Sequence, residues 1–272
     1  MSLLVDCAGA PRDVGLDQGR ACRAELSDRF AEIPWTEALA FRLGRADASV
    51  RRLQRDLARY FPHLSEALAG LAVGARVPES FLAGEIAAEL ASAAAPAAAL
   101  AGETAQLALA LDGPAIVRRT RPEGLFASLE LSRPWLPSTL LGVNERGLAV
   151  AVADSGPEEA GCSAPAALLA QDCLERFEAL DAALDWCASR PGGGRATLFL
   201  GDAAGEVAGI EIAGSERRVL RPADGVLARD GVGAELAKSL SEAAPGAAQP
   251  AEVARVDSRE CTLTLAGASY RL

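Results

Sequence analysis

The chain has 272 residues, half of them hydrophobic, with 27 basic and 37 acidic side chains and a formal net charge of -10. Such a length suits one large domain or two ordinary ones, with enough apolar residues for a substantial core. The acidic balance and the lack of a basic stripe argue against nucleic acid and anionic membrane surfaces as partners.

The N-terminal residues, MSLLVDCAGAPRDVG, include Asp6 and have no basic region ahead of a long apolar run, so no signal peptide is predicted. No stretch has the length of an uncharged membrane span. The six cysteines are scattered without a CxxC motif, and His63 is the single histidine. We therefore expect a cytoplasmic protein with ordinary thiols, no zinc or other metal, no cofactor, and a solvated or helix-capping His63.

Residues 11–91 have the apolar spacing of helices, with a hydrophobic residue at every third or fourth position and charges between. The first predicted helices span residues 11–33, 35–61 and 62–75. A further helix begins at Pro78 and should end near Ser92, because Pro96 cannot continue it. The rest of this alanine-rich stretch is interpreted as a loop.

From Gln106 to Asp154 the pattern changes to the alternation of β-strands, with a hairpin turn predicted at residues 144–147. Helices are predicted over about 165–189 and strands over 195–230, followed by a short helix and a last strand, CTLTLAG. This order predicts an α+β fold of two antiparallel sheets stacked face to face, with helices outside. The residues expected to be buried are Leu107, Leu109, Val150, Val152, Leu198, Leu200 and Ile210.

Four pieces of the sequence, in this order and spacing, carry a family resemblance: GAPRDVGLDQGRACRAEL, PHLSEALAGLAVGARVP, GVNERGLAVAVADSG and LFLGDAAGEVAGIE. Together they resemble the acyl-coenzyme A:6-aminopenicillanate acyltransferase family of N-terminal nucleophile (Ntn) hydrolases, which is related to the conjugated bile acid hydrolases. The resemblance extends to about Glu211. It implies a four-layer αββα sandwich over residues 92–272, with residues 1–91 as a helical, propeptide-like segment packed on that core to form one structural unit.

The family mechanism implies a nucleophile that this chain lacks. Such enzymes cleave themselves before a Cys, whose thiol becomes the nucleophile and whose new amine acts as the base, so no His is required. The resemblance places that Cys where this chain reads Ser92-Ala93-Ala94, and no Cys occurs between Cys22 and Cys162. Because Cys162 follows the strand block, we interpret it as an ordinary cysteine.

The groups that support the nucleophile differ as well. In the family a strand ends in a Gly-Arg-Asn-x-Asp type motif, whereas the matching strand here reads Leu109-Ala110-Leu111-Asp112. Asp154 stands where the family has an Asn that donates to the oxyanion, and an ionised carboxylate repels that developing charge. The resulting candidate catalytic residues are Ser92, Asp112 and Asp154. Arg119 and Arg229 are the candidate substrate-binding residues, since guanidinium groups bind carboxylates and phosphates.

Structural roles are the alternatives for several of these side chains. Asp112 precedes a glycine, and this pair is typical of turns. Asn144 and Glu145 are assigned to the hairpin turn. Arg118 and Arg119 fit solvated strand positions at least as well as anion binding.

The missing thiol allows two functions. In the first, the chain is a pseudoenzyme that does not cleave itself and keeps the fold for binding, for scaffolding or as a partner of an active relative. In the second, it is an N-acyl amide hydrolase or acyltransferase that uses Ser92, or one whose Cys has been replaced by alanine, with Ala94 as the natural position. The joint loss of the Arg and of both Asn residues favours the first.

The two acidic residues at the expected site also indicate which ligands it could bind. Asp112 and Asp154 repel each other in a confined site unless Arg119 or Arg229 pairs with them. We therefore expect the site to close, or to bind an amine or a neutral apolar molecule rather than a free carboxylic acid. The chain should remain continuous through residues 91–95, and a homo-oligomer or an active paralogue is the expected macromolecular partner.

Overall fold

Two stacked β-sheets and a set of helices make up the structure, a computed structural model that describes residues 3–44, 47–91, 97–110, 113–154, 168–190, 195–228, 253–265 and 267–272. The helices are α1 (Pro11–Ala21), α2 (Arg23–Glu32), α3 (Trp35–Arg42), α4 (Ala48–Tyr60), α5 (Pro62–Ala75), α6 (Glu79–Ala91), α7 (Leu169–Arg176) and α8 (Leu180–Ser189). The strands are β1 (Leu3–Gly9), β2 (Ala97–Leu100), β3 (Gln106–Ala110), β4 (Ile116–Pro122), β5 (Ser128–Ser132), β6 (Leu141–Asn144), β7 (Ala149–Asp154), β8 (Arg195–Gly201), β9 (Val207–Ala213), β10 (Glu216–Leu220), β11 (Val226–Ala228), β12 (Val253–Asp257), β13 (Thr262–Leu265) and β14 (Ala268–Arg271). None of the described helices is both long and apolar enough to cross a membrane.

The N-terminal helices follow the predicted apolar spacing, but most are shorter than predicted. The second predicted helix is divided into α3 and α4, and α4 begins where the Asp47 carboxylate accepts hydrogen bonds from the backbone amides of Ser49 (2.8 Å) and Val50 (3.0 Å). The hydrogen bond from the Ser49 hydroxyl is the main cause that lowers the pKa of Asp47. Helix α6 ends at Ala91, beside the end predicted near Ser92.

The larger sheet has eight strands in the order β1-β4-β5-β6-β7-β8-β9-β10. It combines strands from both predicted strand regions, before and after α7 and α8. Its neighbouring strands are antiparallel, as predicted, except that β1 is parallel to β4. Strand β1 is not predicted from the sequence, where residues 1–91 are interpreted as helical. That segment therefore also contributes an edge strand to the sheet.

The smaller sheet has six strands in the order β11-β2-β3-β12-β13-β14. Strand β2 belongs to the alanine-rich stretch that was interpreted as a loop, and this interpretation was wrong for residues 97–100. Ala97 pairs with Leu109 and Leu100 with Gln106 in antiparallel register. Alanine has little preference for strands, so the tertiary context decides: its small side chain fits the narrow space between two sheets.

Two apolar layers hold these elements together. The first lies between the sheets and contains Leu107 and Leu109 of the smaller sheet with Val117 of the larger. The second lies between the larger sheet and the helices, where α7 and α8 contact β6, β7 and β9. All seven residues predicted to be buried are at most 3% exposed, which confirms that part of the prediction. The described residues thus form a helix layer on a pair of stacked sheets.

Helices α1 and α5 touch each other through glycines. A methyl group added at Gly15 would lie 1.8 Å from the Ala67 carbonyl oxygen, and one at Gly70 would lie 2.0 Å from the Arg12 carbonyl oxygen. Gly19 and Gly74, one turn further along each helix, are similarly close to the opposite backbone. Since no side chain separates the two helices at these positions, their backbones are in contact.

The hairpin between β6 and β7 is held by Asn144, which is fully buried. Its side-chain oxygen accepts hydrogen bonds from the backbone amides of Arg146 and Leu148, each at 3.0 Å. Its side-chain nitrogen donates to the carbonyl oxygens of Leu174 (2.8 Å) and Phe177 (2.7 Å) at the end of α7. The structural role predicted for this residue is confirmed, and it joins the hairpin to the helix layer.

We expect Asn144→Ala to lower the free energy of unfolding by about 2–3 kcal/mol, because several buried backbone groups lose their hydrogen-bonding partner together. Chemical unfolding followed by circular dichroism measures this. The neighbouring Glu145→Ala is the control, since Glu145 is exposed and should change stability by about 0.5 kcal/mol or less. Equal effects of the two substitutions would show that Asn144 does not join the hairpin to α7.

Candidate functional site

A buried network of polar side chains lies between the larger sheet and helices α1, α5 and α7. At its centre Arg118 of β4, which is 1% exposed, faces the fully buried Glu130 of β5. One guanidinium nitrogen of Arg118 donates to the Glu130 carboxylate, and the other donates to the Gln18 side-chain oxygen at 2.6 Å. The expectation of a solvated position is therefore wrong for Arg118, because its charge is neutralised inside the protein by Glu130.

Two glutamines extend this network in opposite directions. The Gln18 side-chain nitrogen donates to three carbonyl oxygens of the loop after β5, each at 3.1 Å. The Gln171 side-chain nitrogen donates to Glu130 (2.9 Å) and to Glu175 (3.1 Å). Gln171 thus connects the Arg118–Glu130 pair to the acidic face of α7.

A histidine and two acids stand at the far end of the network. His63 lies in the first turn of α5, and its side chain is 14% exposed. Its Nε2 atom is 3.1 Å from Asp172 Oδ1 and 3.7 Å from Glu175 Oε2. The expectation of a solvated or capping His63 was wrong. Helix α5 places this side chain against the acids of α7, and the N-cap of α5 is Phe61, with no side-chain capping hydrogen bond.

Burial and charge act differently on the two acids. Burial raises the pKa of Glu175 to about 7, although the charge of His63 and the Gln171 hydrogen bond oppose it. Burial also acts to raise the pKa of Asp172, but His63, Arg176 and the Trp186 hydrogen bond outweigh it and leave this pKa below its ordinary value. Asp172 is therefore the ionised partner of His63 near neutral pH.

A small cavity of about 40 Å³ adjoins His63 and Glu175. Its polar lining includes His63, Arg118, Glu123, Gln171 and Glu175. Apolar residues of α1, α5, β4 and the loops on either side of β5 complete the lining. A separate, open groove of about 920 Å³ lies on the helical side between α2, α3 and the Arg76–Pro78 segment. Of these two cavities in the described part of the chain, the small one combines convergent polar groups with enclosure, so it marks the candidate functional site.

Among the sequence-predicted site residues, Arg119 is the one whose side chain the structure describes, and it does not line this cavity. Ser92, Asp112 and Arg229 are outside the described residues, as are the predicted short helix after residue 230 and the continuity of residues 91–95. Asp154 ends β7, and its side chain is outside the described part. Arg119, next to Arg118 but on the opposite face of β4, contacts Asp6 at 3.2 Å and the Arg271 carbonyl oxygen at 3.3 Å. Its substrate-binding role stays a prediction.

Two of the described cysteines are unsuited to act as nucleophiles. Cys7, Cys22, Cys173, Cys187 and Cys261 are free. Burial raises the pKa of Cys7 and of Cys22 to about 12, so neither carries the thiolate that a nucleophile needs near neutral pH. Cys162 is outside the described residues.

Sequence reasoning missed His63, Asp172 and Glu175 as a group. Within the described ranges, these residues are a group of possible metal ligands whose donor atoms all lie within 4.8 Å of one another. The sequence contains one usable signal: Asp172 and Glu175 are three positions apart and so share one face of a helix. Nothing in it indicates that α5 brings the histidine to that face.

Neither a protein-family model nor a curated protein matches this chain. Solved structures do match, among them penicillin V acylase from Agrobacterium tumefaciens, with a TM-score of 0.37 and 20% identity over 54% of this chain and 57% of that chain. A mutant conjugated bile acid hydrolase from Clostridium perfringens has a TM-score of 0.35 and 16% identity over 53% of this chain and 57% of that chain. These structural neighbours are Ntn-type acylases and hydrolases. The match spans little more than half the length of either protein, and at these TM-scores it establishes no activity here.

Proposed function

We propose that this chain is a pseudoenzyme, a distant relative of the acyltransferases and amidohydrolases of the Ntn superfamily that neither cleaves itself nor hydrolyses amides. Leu109 carries the proposal, because it stands where the acyltransferase resemblance has an arginine. Its side chain is 1% exposed and lies in the apolar layer between the sheets. Its paired neighbours in the smaller sheet are Ala97 and Ala254.

An arginine at this position would need an opposite charge, whereas the described residues that form the apolar layer around Leu109 are hydrophobic. Burying a charge without an opposite charge is costly, and the two paired alanines have no polar side-chain atom. Ala110 likewise replaces the side-chain amide of the family motif. The described end of β3 thus presents neither a guanidinium nor an amide to the developing charge of an acyl-transfer reaction.

The proposal extends to fold, ligand and partners. We propose a second helical layer over the outer face of the smaller sheet, as the resemblance implies, and the fully buried Ala98 and Ala108 on that face support it. For the protein as a whole we propose a binding or accessory role in the cytoplasm. The ligand is an amine or a neutral apolar molecule, since two acids at positions 112 and 154 disfavour a free carboxylic acid. The partner is a second copy of the chain or an active paralogue.

The intact mass of protein expressed from the unmodified gene tests the catalytic part of this proposal. We expect one uncleaved chain and no turnover of a panel of penicillins and N-acyl amino acids. Ser92→Ala is the matched variant and should change neither result, because we assign Ser92 no nucleophilic role. Two fragments that meet between about residues 91 and 94, or turnover that Ser92→Ala abolishes, would establish the serine enzyme instead.

A further inference from the structure

Three buried side-chain atoms from helices α5 and α7 converge on one point. They are His63 Nε2, Asp172 Oδ1 and Glu175 Oε2, and none of them makes a hydrogen bond of regular geometry among the described residues, although each lies within ion-pair distance of another of the three. The side chains of Asp172 and Glu175 are only 4% and 9% exposed. Buried polar atoms normally make regular hydrogen bonds, and these three donor atoms instead lie within 4.8 Å of one another, an arrangement that suits a shared ligand between them.

We propose that His63, Asp172 and Glu175 bind a divalent transition-metal ion, with Zn²⁺ as the preferred ion. One imidazole nitrogen and two carboxylate oxygens are donor atoms that bind zinc in proteins. Two donors that each lie about 2.1 Å from a tetrahedral ion are about 3.4 Å apart. The separations from His63 Nε2, 3.1 Å to Asp172 and 3.7 Å to Glu175, lie on either side of that value.

The surrounding hydrogen bonds orient both carboxylates for this role. The second oxygen of Asp172 accepts a hydrogen bond from the Trp186 indole nitrogen at 3.2 Å. The second oxygen of Glu175 accepts one from the Gln171 side-chain nitrogen at 3.1 Å. Each carboxylate is thus held by one oxygen while the other is left for the ion, which is how outer hydrogen bonds fix metal ligands.

The adjoining cavity supplies the remaining coordination position. Its volume of about 40 Å³ accommodates a water molecule, which needs roughly 10–15 Å³ of such space. Three protein ligands and one water complete a tetrahedral zinc site. Since His63 belongs to α5 and both acids to α7, the ion clamps the N-terminal helices to the helix that covers the larger sheet.

Two cations of the protein itself compete for this position. The Arg176 Nε atom lies 3.4 Å from Asp172 Oδ1, and its side chain is 38% exposed. It can turn towards solvent when the ion binds. The other competitor is a protonated His63, which would make an ion triad without any metal. The experiment must therefore distinguish a metal-bound imidazole from a protonated one.

Because His63 is the single histidine, protein labelled with ¹⁵N-histidine gives one imidazole whose Nε2 resonance reports the site directly. We expect titration of chelator-treated protein with Zn²⁺ to shift that resonance to a metal-bound value, with saturation at one ion per chain and a rise in melting temperature. An Nε2 resonance that does not change at saturating Zn²⁺ overturns the proposal. This readout uses the unaltered chain, so it does not depend on any variant folding.

Conservative variants locate the ion. Glu175→Gln and Asp172→Asn should each weaken Zn²⁺ binding by at least about tenfold. Glu178→Gln is the matched control, because its side chain, 66% exposed, lies outside the site, and it should leave the affinity unchanged. Co²⁺ should bind without a thiolate charge-transfer band. Full affinity in both site variants, or such a band, would assign the metal to the cysteines and overturn the proposal.

Discussion

Gly15→Ala is expected to lower the free energy of unfolding by about 3 kcal/mol or more, because the added methyl group would lie 1.8 Å from the Ala67 carbonyl oxygen. The obstacle is backbone rather than the end of a flexible side chain, so α1 and α5 must move apart. That movement also opens the contacts of Gly19 and Gly74 with the opposite backbone. Denaturant unfolding followed by circular dichroism measures the loss.

Gly84→Ala provides the matched control on α6. A methyl group at Gly84 would come no closer than 3.5 Å to the Phe41 ring, which is ordinary van der Waals contact. Alanine is the better helix former, so this variant should gain about 0.5–1 kcal/mol. Opposite signs for Gly15→Ala and Gly84→Ala are thus expected. A stabilising Gly15→Ala would show that α1 and α5 are not in backbone contact.

Arg118→Met is expected to cost about 3–5 kcal/mol, because it leaves the fully buried Glu130 carboxylate without its cation. The pair itself need not stabilise the fold, since a buried ion pair replaced by apolar residues is often neutral or stabilising. The double variant Arg118→Met/Glu130→Leu should therefore be clearly more stable than Arg118→Met alone. Unfolding of both singles and the double gives the coupling energy directly.

Arg119→Met, the adjacent position on β4, is the control for this cycle. Its partner Asp6 is 62% exposed, and exposed ion pairs contribute about 1 kcal/mol or less. A large difference between the two arginines is thus expected. If Arg118→Met and Arg119→Met cost the same, the Arg118–Glu130 pair does not carry a buried charge.

Local pattern was sufficient for much of the fold. The spacing of apolar residues predicted the N-terminal helices and the end of α6, and alternation predicted the strands from β3 to β10 and β13. Alternation also predicted which side chains are buried, such as Leu107 and Ile210, which are both fully buried. These properties depend on neighbours along the chain, since a period of two or of 3.6 residues determines which side chains share a face.

Tertiary context overrode local preference in two strands. Strand β2 consists almost wholly of alanine, which by itself favours a helix, yet the space between the two sheets selects a strand there. Strand β1 precedes a long helical region and gains its hydrogen bonds from β4, which is far away in sequence. A local pattern predicts the partner strands β3 and β4 but not that β2 and β1 pair with them.

The sequence alone determined the composition of the candidate sites: the absence of a Cys where the resemblance expects the nucleophile, and the apolar Leu109 and Ala110 beside it. Only the tertiary structure decided that Arg118 is buried with Glu130 while Arg119 faces Asp6, and that His63 meets the acids of α7. Periodicity assigns a side chain to a face of its own strand or helix. It does not say which distant element covers that face, and that covering element supplies the charge partner and removes the water on which the chemistry depends.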